Sequence, residues 1–137
     1  MSTVFFRWTN EMSVKSQEID QQHKQLVSIL NELYQAFMDK EHKEKIGTII
    51  RKMSDYTKYH FDTEEKYFIS FDYYDRGNHI MEHQDFKNKV NEFNQKYNAN
   101  YGALTYDVMN FLRSWLNTHI METDKKYMEC FFKNGVK

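Results

Sequence analysis

The chain has 137 residues, 40% of them hydrophobic and 17% aromatic, which is enough for one hydrophobic core and excludes a disordered protein. Its 19 basic and 20 acidic residues nearly cancel, so we expect no nucleic-acid partner. The sequence shows no membrane-spanning apolar run, no signal-peptide pattern and only one cysteine, so we expect no membrane segment and a reducing, cytoplasmic environment.

Proline is absent and glycine occurs four times, which favours long uninterrupted helices. Residues 1–15 show no clear period and are predicted to form an N-terminal arm, whose aromatic residues Phe5, Phe6 and Trp8 pack back onto the body. Four stretches follow in which apolar residues recur every three or four positions, the spacing of one helix face. They predict helices at about 18–38, 41–71, 78–97 and 103–133.

Local signals mark the helix ends. Ser16 or Asp20 can cap the first helix by accepting a hydrogen bond from a free backbone N–H. The segments 71–77 (FDYYDRG) and 98–102 (NANYG) are predicted to be loops. Helices of this length with short connections predict an all-α fold, an up-down-up-down antiparallel four-helix bundle that forms a single domain over 1–137.

Five of the six histidines lie on the apolar faces of these helices, and all four helices contribute: His23, His60, His79, His83 and His119. A spacing of four residues places Glu64 one turn after His60, and His83 one turn after His79, on the same helix face. One inward histidine is usually a hydrogen-bonded core residue. Five buried imidazoles all need partners, at about 1–3 kcal/mol for each unsatisfied group, and a shared metal centre satisfies them together. The sixth, His42, lies among charged residues and is expected at the surface.

Imidazole and carboxylate ligands without thiolate suit iron, zinc, copper or manganese. With Asp124, the set has seven members, too many for one tetrahedral zinc ion, and it favours two iron ions bridged by carboxylates. Asp124 follows His119 by five residues, which rotates it roughly 140° further around an α-helix axis. Either a one-residue π-bulge aligns the two side chains, or a straight helix lets them reach the site from its two edges.

The complete pattern resembles that of the hemerythrins, most closely the single-domain bacterial hemerythrins. The resemblance covers nearly the whole chain, including the arm with Trp8, and it is specific because all seven residues occur in order on four helices. They are His23 in IDQQHKQLV, His60 and Glu64 in HFDTEE, His79 and His83 in HIMEH, and His119 and Asp124 in WLNTHIMETD.

The resemblance implies a centre of two iron ions (Fe2+/Fe3+) with a bridging oxo or hydroxo group. One iron would be bound by His79, His83 and His119, and the other by His23 and His60. Glu64 and Asp124 would bridge the two. The unequal number of histidines leaves one open position on the iron with two histidines, where the family binds dioxygen as a hydroperoxide.

The resemblance also suggests a ligand pocket. Leu116, one turn before His119, matches the family's leucine beside the open position. Trp115, Phe61 and Tyr127 match aromatic residues near the cluster, although plain core packing explains these three equally well.

The sequence does not identify the groups that bind the free imidazole N–H groups. Gln21, Glu82 and Thr123 are expected to be surface or packing residues. Cys130 is expected to be a buried small hydrophobic residue near the end of the fourth helix.

The predicted function is reversible dioxygen binding for transport, storage or sensing, by a protein that is not an enzyme and has no catalytic residues. The alternatives are a di-iron oxidase or peroxidase, or a protein that stores iron or binds nitric oxide. Ferritin-like sites use four glutamates and two histidines in Glu-x-x-His pairs, whereas this set is rich in histidine. We expect a monomer whose ligand is dioxygen, and a further protein partner remains open.

Overall fold

The computed structural model of the chain describes residues 5–96 and 101–136, and these contain helices and no strand. Four helices form the bundle: α1 (Gln17–Met38), α2 (Lys43–Ser70), α3 (Arg76–Lys96) and α4 (Tyr101–Thr118). α1 packs against α2 and α4, and α3 packs against the same two helices, which closes the ring of a four-helix bundle. The predicted all-α bundle is confirmed.

The fourth predicted helix is not one continuous α-helix. After α4 the chain makes a π-helical turn (His119–Thr123) and a 3-10 turn (Asp124–Tyr127), and then a short helix, α5 (Met128–Lys133). The backbone N–H of Asp124 donates to the carbonyl of His119, five residues earlier, as in a π-helix. Of the two alternatives for this segment, the π-bulge is therefore the one that occurs.

The other helix ends differ from the prediction by a few residues. α2 begins after His42, which is exposed as expected, and α3 begins at Arg76 rather than near residue 78. In the predicted loop 98–102, residues 98–100 lie outside the described part of the chain, while the last two residues already belong to α4. A glycine in a helix costs only about 1 kcal/mol, so its presence near the start does not prevent a helix from forming.

The cap of α1 is Ser16, whose Oγ accepts a hydrogen bond of 3.3 Å from the backbone N–H of Ile19. Asp20, the other candidate, instead binds the preceding chain. Its carboxylate accepts hydrogen bonds from the Ser13 hydroxyl at 2.5 Å and from the Val14 backbone N–H at 2.9 Å. Both residues therefore define where the arm ends and the bundle begins.

The described part of the N-terminal arm packs onto α1, as predicted. Oδ1 of Asn31 accepts hydrogen bonds from the backbone N–H groups of Phe5 and Phe6 at 3.0 and 2.8 Å, and its Nδ2 donates to the Phe6 carbonyl at 2.8 Å. The Phe5 ring stacks on Tyr34 with centroids 4.7 Å apart, and Phe6 is buried in the core. Trp8 is half-buried, with its ring 6.4 Å from that of His23.

Two hydrophobic clusters fill the bundle. The larger one contains the apolar faces of α1 to α4 and includes Phe61 and Leu116. The smaller one, around Phe68, Tyr127 and Phe131, lies towards α5. Phe61 of the larger cluster and Phe68 of the smaller cluster are both on α2. They are seven residues apart, so about two turns of this helix separate the two clusters. The candidate site lies in this interval.

Candidate metal centre

The seven predicted ligands come together inside the bundle, and none of their side chains is more than 2% exposed. They come from α1, α2, α3 and the turns that follow α4. His23 is on α1, His60 and Glu64 are on α2, His79 and His83 are on α3, and His119 and Asp124 begin the π and 3-10 turns. These seven polar side chains therefore lie at the same height along the bundle axis, inside the core.

The side chains form two groups, in each of which the candidate ligand atoms lie within 4.8 Å of one another. We call them the three-histidine group (Glu64, His79, His83 and His119) and the two-histidine group (His23, His60, Glu64 and Asp124). Glu64 belongs to both, and its Oε1 lies 3.2 Å from Nε2 of His83 and 3.3 Å from Nε2 of His60. The structure thus provides two adjacent metal-sized sites that share a carboxylate.

Asp124 also connects the two groups. Its Oδ1 lies 2.9 Å from Nε2 of His79 and 3.0 Å from Nε2 of His119, while its Oδ2 lies 2.9 Å from Nε2 of His23. Each carboxylate oxygen therefore faces a different group. The π turn makes this possible, because an i→i+5 bond brings residues five apart nearly above one another, where an α-helix would separate them.

Most of the inward-facing nitrogen and oxygen atoms of the cluster have no hydrogen-bond partner within the protein, so they are available to bind cations. Both nitrogens of His23, Nε2 of His60 and all four carboxylate oxygens of Glu64 and Asp124 are buried without a hydrogen bond. None of these atoms has a hydrogen-bond partner, although carboxylate oxygens of Glu64 and Asp124 lie 2.9–3.3 Å from histidine nitrogens. Nε2 of His119 also lies 3.1 Å from Nε2 of His79 and 3.2 Å from Nε2 of His83. Buried nitrogen and oxygen atoms this close together can bind a pair of divalent or trivalent ions.

Hydrogen bonds at the other ring nitrogens set the tautomers. Nδ1 of His60 lies 2.7 Å from Oε1 of Gln22, whose Nε2 donates to the Thr63 hydroxyl at 3.3 Å. This orientation of the amide makes His60 the donor and leaves Nε2 of His60 with its lone pair towards the cluster.

Two carboxylates hold imidazoles of the three-histidine group in the same way. Oε2 of Glu65 lies 2.9 Å from Nδ1 of His83, and Oε1 of Glu82 lies 3.2 Å from Nδ1 of His119. The Thr123 hydroxyl donates to that same oxygen of Glu82 at 2.9 Å. In both rings Nδ1 faces outwards with its N–H, and Nε2 faces the cluster, where it can bind a metal ion once it is deprotonated.

The prediction for Glu82 and Thr123 is therefore wrong. They are not simply surface or packing residues, because the Glu82 carboxylate accepts the N–H of His119 and the Thr123 hydroxyl donates to that carboxylate. Gln21 is exposed, as expected, and the neighbouring Gln22 makes the contact instead. Cys130, expected to be buried, is half-buried, because α5 turns that residue partly towards solvent.

Electrostatics make this part of the core attractive to cations. Burial would favour the neutral acid, but the neighbouring His60 and His83 lower the pKa of Glu64 to about 2. The pKa of Asp124 is lowered well below its usual value, against its burial, by His119. Burial lowers the pKa of His60 to about 3, so this imidazole is neutral at pH 7. Two buried carboxylates thus remain ionised beside a neutral imidazole.

His119 carries the compensating proton in the ligand-free protein. Burial disfavours its cation, but Asp124 and Glu82 raise the pKa of His119 to about 10. A metal ion bound at Nε2 would replace that proton, because both compete for the same lone pair. The two ionised carboxylates, Glu64 and Asp124, thus require positive charge nearby, which metal ions would supply.

Aromatic rings enclose the cluster. Phe61 stacks on His83 with centroids 3.7 Å apart, Trp115 stacks on His119 at 4.2 Å, and Tyr127 lies against His79 at 5.6 Å. All three predicted aromatic residues therefore touch histidines of the three-histidine group. Leu116 is 1% exposed in the larger core cluster, and its position beside a bound ligand stays a prediction.

Tyr127 adds a buried hydroxyl without a hydrogen bond. Burial raises the pKa of Tyr127 well above its usual value, so the phenol stays protonated.

Within the described residues, no helix is long and apolar enough to cross a membrane.

A family model described as the hemerythrin HHE cation binding domain matches residues 14–131, which include all seven cluster residues. Similar proteins named bacteriohemerythrin occur in bacteria. The protein of Clostridium acetobutylicum is 31% identical over 129 residues, covering 90% of this chain and 99% of that protein. The protein of Methylococcus capsulatus is 30% identical over 111 residues, covering 81% and 84%.

Solved structures of hemerythrin are similar in fold. A wild-type hemerythrin is 28% identical, with a TM-score of 0.84 over 92% of this chain and 97% of that one. A hemerythrin in which one leucine is replaced by alanine is 27% identical, with a TM-score of 0.86 over 93% of this chain and 98% of that one.

Proposed function

Because this chain belongs to the hemerythrin family, we propose that it binds dioxygen reversibly at a pair of iron ions inside the bundle. The observation that supports the proposal best is the pairing of two buried donor groups that share Glu64 and are joined by Asp124. Two metal ions placed in these groups would be close enough to act on one small ligand.

Each side chain has a distinct proposed role. His79, His83 and His119 would hold one iron, and His23 and His60 would hold the other, while both ions would share Glu64 and Asp124. Two ions held there as Fe2+, together with an oxo or hydroxo group, would supply the two electrons that a reversible dioxygen complex requires. The protein contributes one fewer imidazole to the two-histidine group, and we place the dioxygen position there.

The surrounding residues favour binding over turnover. The rings of Phe61 and Trp115 cover the histidines, and Leu116 is buried one turn before His119, so water has little access. The buried hydroxyl of Tyr127, whose ring lies against His79, has a raised pKa, which makes it a poor proton source at neutral pH. A dry site whose buried phenol holds its proton is suited to holding a ligand without cleaving it.

The expected surroundings agree with this role. A reducing cytoplasm, predicted from the single cysteine, would help to keep the iron ferrous. We propose that the protein acts there as a monomeric carrier or store of dioxygen.

The test is to load the purified protein with iron, measure the iron content, and record visible spectra through cycles of deoxygenation and oxygenation. We expect two irons for each chain and a charge-transfer band that disappears without oxygen and returns with it. A band that never returns, or steady consumption of oxygen with a reductant, would favour an oxidase or peroxidase. A protein that takes up zinc in preference to iron would contradict both functions.

A pair of histidine variants gives the control. His60→Ala removes a buried imidazole of the two-histidine group and should lose at least half of the iron and the reversible band. His42→Ala removes the exposed histidine before α2 and should leave both unchanged. If the two variants lose iron equally, the cluster is not the iron site.

A further inference from the structure

The two donor groups differ in the residues behind their imidazoles. In the three-histidine group, His83 and His119 donate their Nδ1–H to the carboxylates of Glu65 and Glu82. In the two-histidine group, His60 donates to the neutral amide of Gln22. Nδ1 of His23 is buried without a hydrogen bond. One group is therefore backed by two negative charges and the other by none.

The contacts of Glu82 are specific rather than incidental. One oxygen of its carboxylate accepts from both His119 and Thr123, which lie four residues apart in the π turn. Glu82 itself is on α3, so this contact ties α3 to the segment that carries two of the cluster residues. The Glu82 side chain is 42% exposed and that of Glu65 is 23% exposed. Both carboxylates thus lie at the edge of the site, in partial contact with solvent.

The two kinds of partner affect a bound ion differently. A carboxylate that accepts the N–H of an imidazole raises the basicity of the opposite nitrogen and so strengthens its bond to a metal. This extra donation, with the added negative charge, stabilises a trivalent ion more than a divalent one. The amide of Gln22 orients His60 but adds no net charge.

We propose that Glu65 and Glu82 are positioning residues that give the three-histidine position its preference for the more highly charged ion, while Gln22 keeps the two-histidine position easier to reduce. The inference rests on the proposed function, since it assumes two redox-active ions. It assigns to the surrounding residues an electronic difference between the positions, beyond their different numbers of histidines.

The test compares Glu65→Gln and Glu82→Gln with the control Glu122→Gln. Glu122 is an exposed glutamate in the π turn that also contains His119. Two quantities are measured: the midpoint potential of the iron-loaded protein, and the Co2+ affinity of the metal-stripped protein. Loss of such an outer partner costs roughly 10- to 100-fold in metal affinity. If the trivalent ion loses ten times more affinity than the divalent ion, the potential rises by about 59 mV for one electron.

The expected order of effects follows from the geometry. Glu65→Gln should act more strongly than Glu82→Gln, because its contact is shorter and its side chain is less exposed. Gln22→Glu, which adds a carboxylate behind His60, should lower the potential and so shift it in the opposite direction. Glu122→Gln should change neither quantity.

Circular dichroism and thermal unfolding establish that each variant is folded, so a purely structural defect is recognised separately. The inference is overturned if folded Glu65→Gln and Glu82→Gln proteins keep the potential and Co2+ affinity of Glu122→Gln. Equal and same-sign shifts for all four variants would overturn it too. If the unaltered protein holds iron but does not bind dioxygen reversibly, the proposed function fails, while the potentials still decide this inference.

Discussion

Replacing Leu116 by alanine tests whether the apolar wall of the cluster protects the bound state. Leu116 is 1% exposed, one turn before His119 and next to Trp115, which stacks on that histidine. The substitution removes three carbon atoms, worth about 2.4 kcal/mol in transfer free energy. With the cavity that remains, we expect the free energy of unfolding to fall by about 2–5 kcal/mol.

The functional effect should be larger than the stability loss alone explains. A cavity of this size next to polar groups can hold a water molecule. A hydrogen bond from water to an anion leaving the iron centre is worth about 1.5–3 kcal/mol, which would accelerate autoxidation roughly 10- to 100-fold. The rate is measured as the loss of the reversible visible band in air-saturated buffer.

Leu112→Ala is the matched control. Leu112 is also 1% exposed in the same cluster, but it lies one turn further from His119. It should lose similar stability in urea unfolding while its autoxidation rate stays within about twofold of the unaltered protein, because added water would lie further from the iron. If the two variants autoxidise equally fast, general loosening of the core explains the effect and the assignment of Leu116 is wrong.

Three further predictions concern other parts of the molecule. Asp124→Asn removes the carboxylate that joins the two groups and should reduce the iron content to one ion or fewer for each folded chain, measured by metal analysis. Asn31→Ala removes three hydrogen bonds to the N-terminal arm and should cost about 1–3 kcal/mol in urea unfolding, with faster amide exchange at Phe5 and Phe6; unchanged exchange would contradict the packing of the arm. The metal-stripped protein should be most stable near pH 6.5. In the folded protein the pKa of His119 is about 10, above the ordinary 6.5, so its contribution to the free energy of unfolding is lost as the pH rises from 6.5 to 10. The pKa of His60 is about 3 in the folded protein, so its contribution to the free energy of unfolding is lost as the pH falls from 6.5 to 3. Unfolding curves at pH 4, 6.5 and 9 check this, and bound iron should remove the alkaline loss by replacing the proton on His119.

Much of the architecture follows from local patterns in the chain. Helical periodicity locates the four helices, because an apolar stripe at every third or fourth residue has to face a core. The same periodicity places His23, His60 and His119 on inward faces, since each continues the stripe of its helix. Even the π-bulge is suggested by the five-residue step to Asp124, because an α-helix would turn that side chain away.

Other features depend on how the helices pack. Glu82 is adjacent to His83 in the chain, but its carboxylate contacts His119, and the partner of His83 is Glu65 on another helix. Many glutamates lie near these histidines in the sequence, and only the relative rotation and shift of neighbouring helices decides which carboxylate reaches which ring nitrogen.

The chain by itself thus determines that the five imidazoles and Glu64 face inwards, because a helix face depends on residue spacing, whereas Asp124 faces inwards only through the π turn. The tertiary structure decides that Glu64 belongs to both groups and that Asp124 joins them. It also decides that one group is backed by carboxylates and the other by the amide of Gln22. Distances of a few ångströms between different helices depend on side-chain packing across the whole bundle, and no local pattern contains that information.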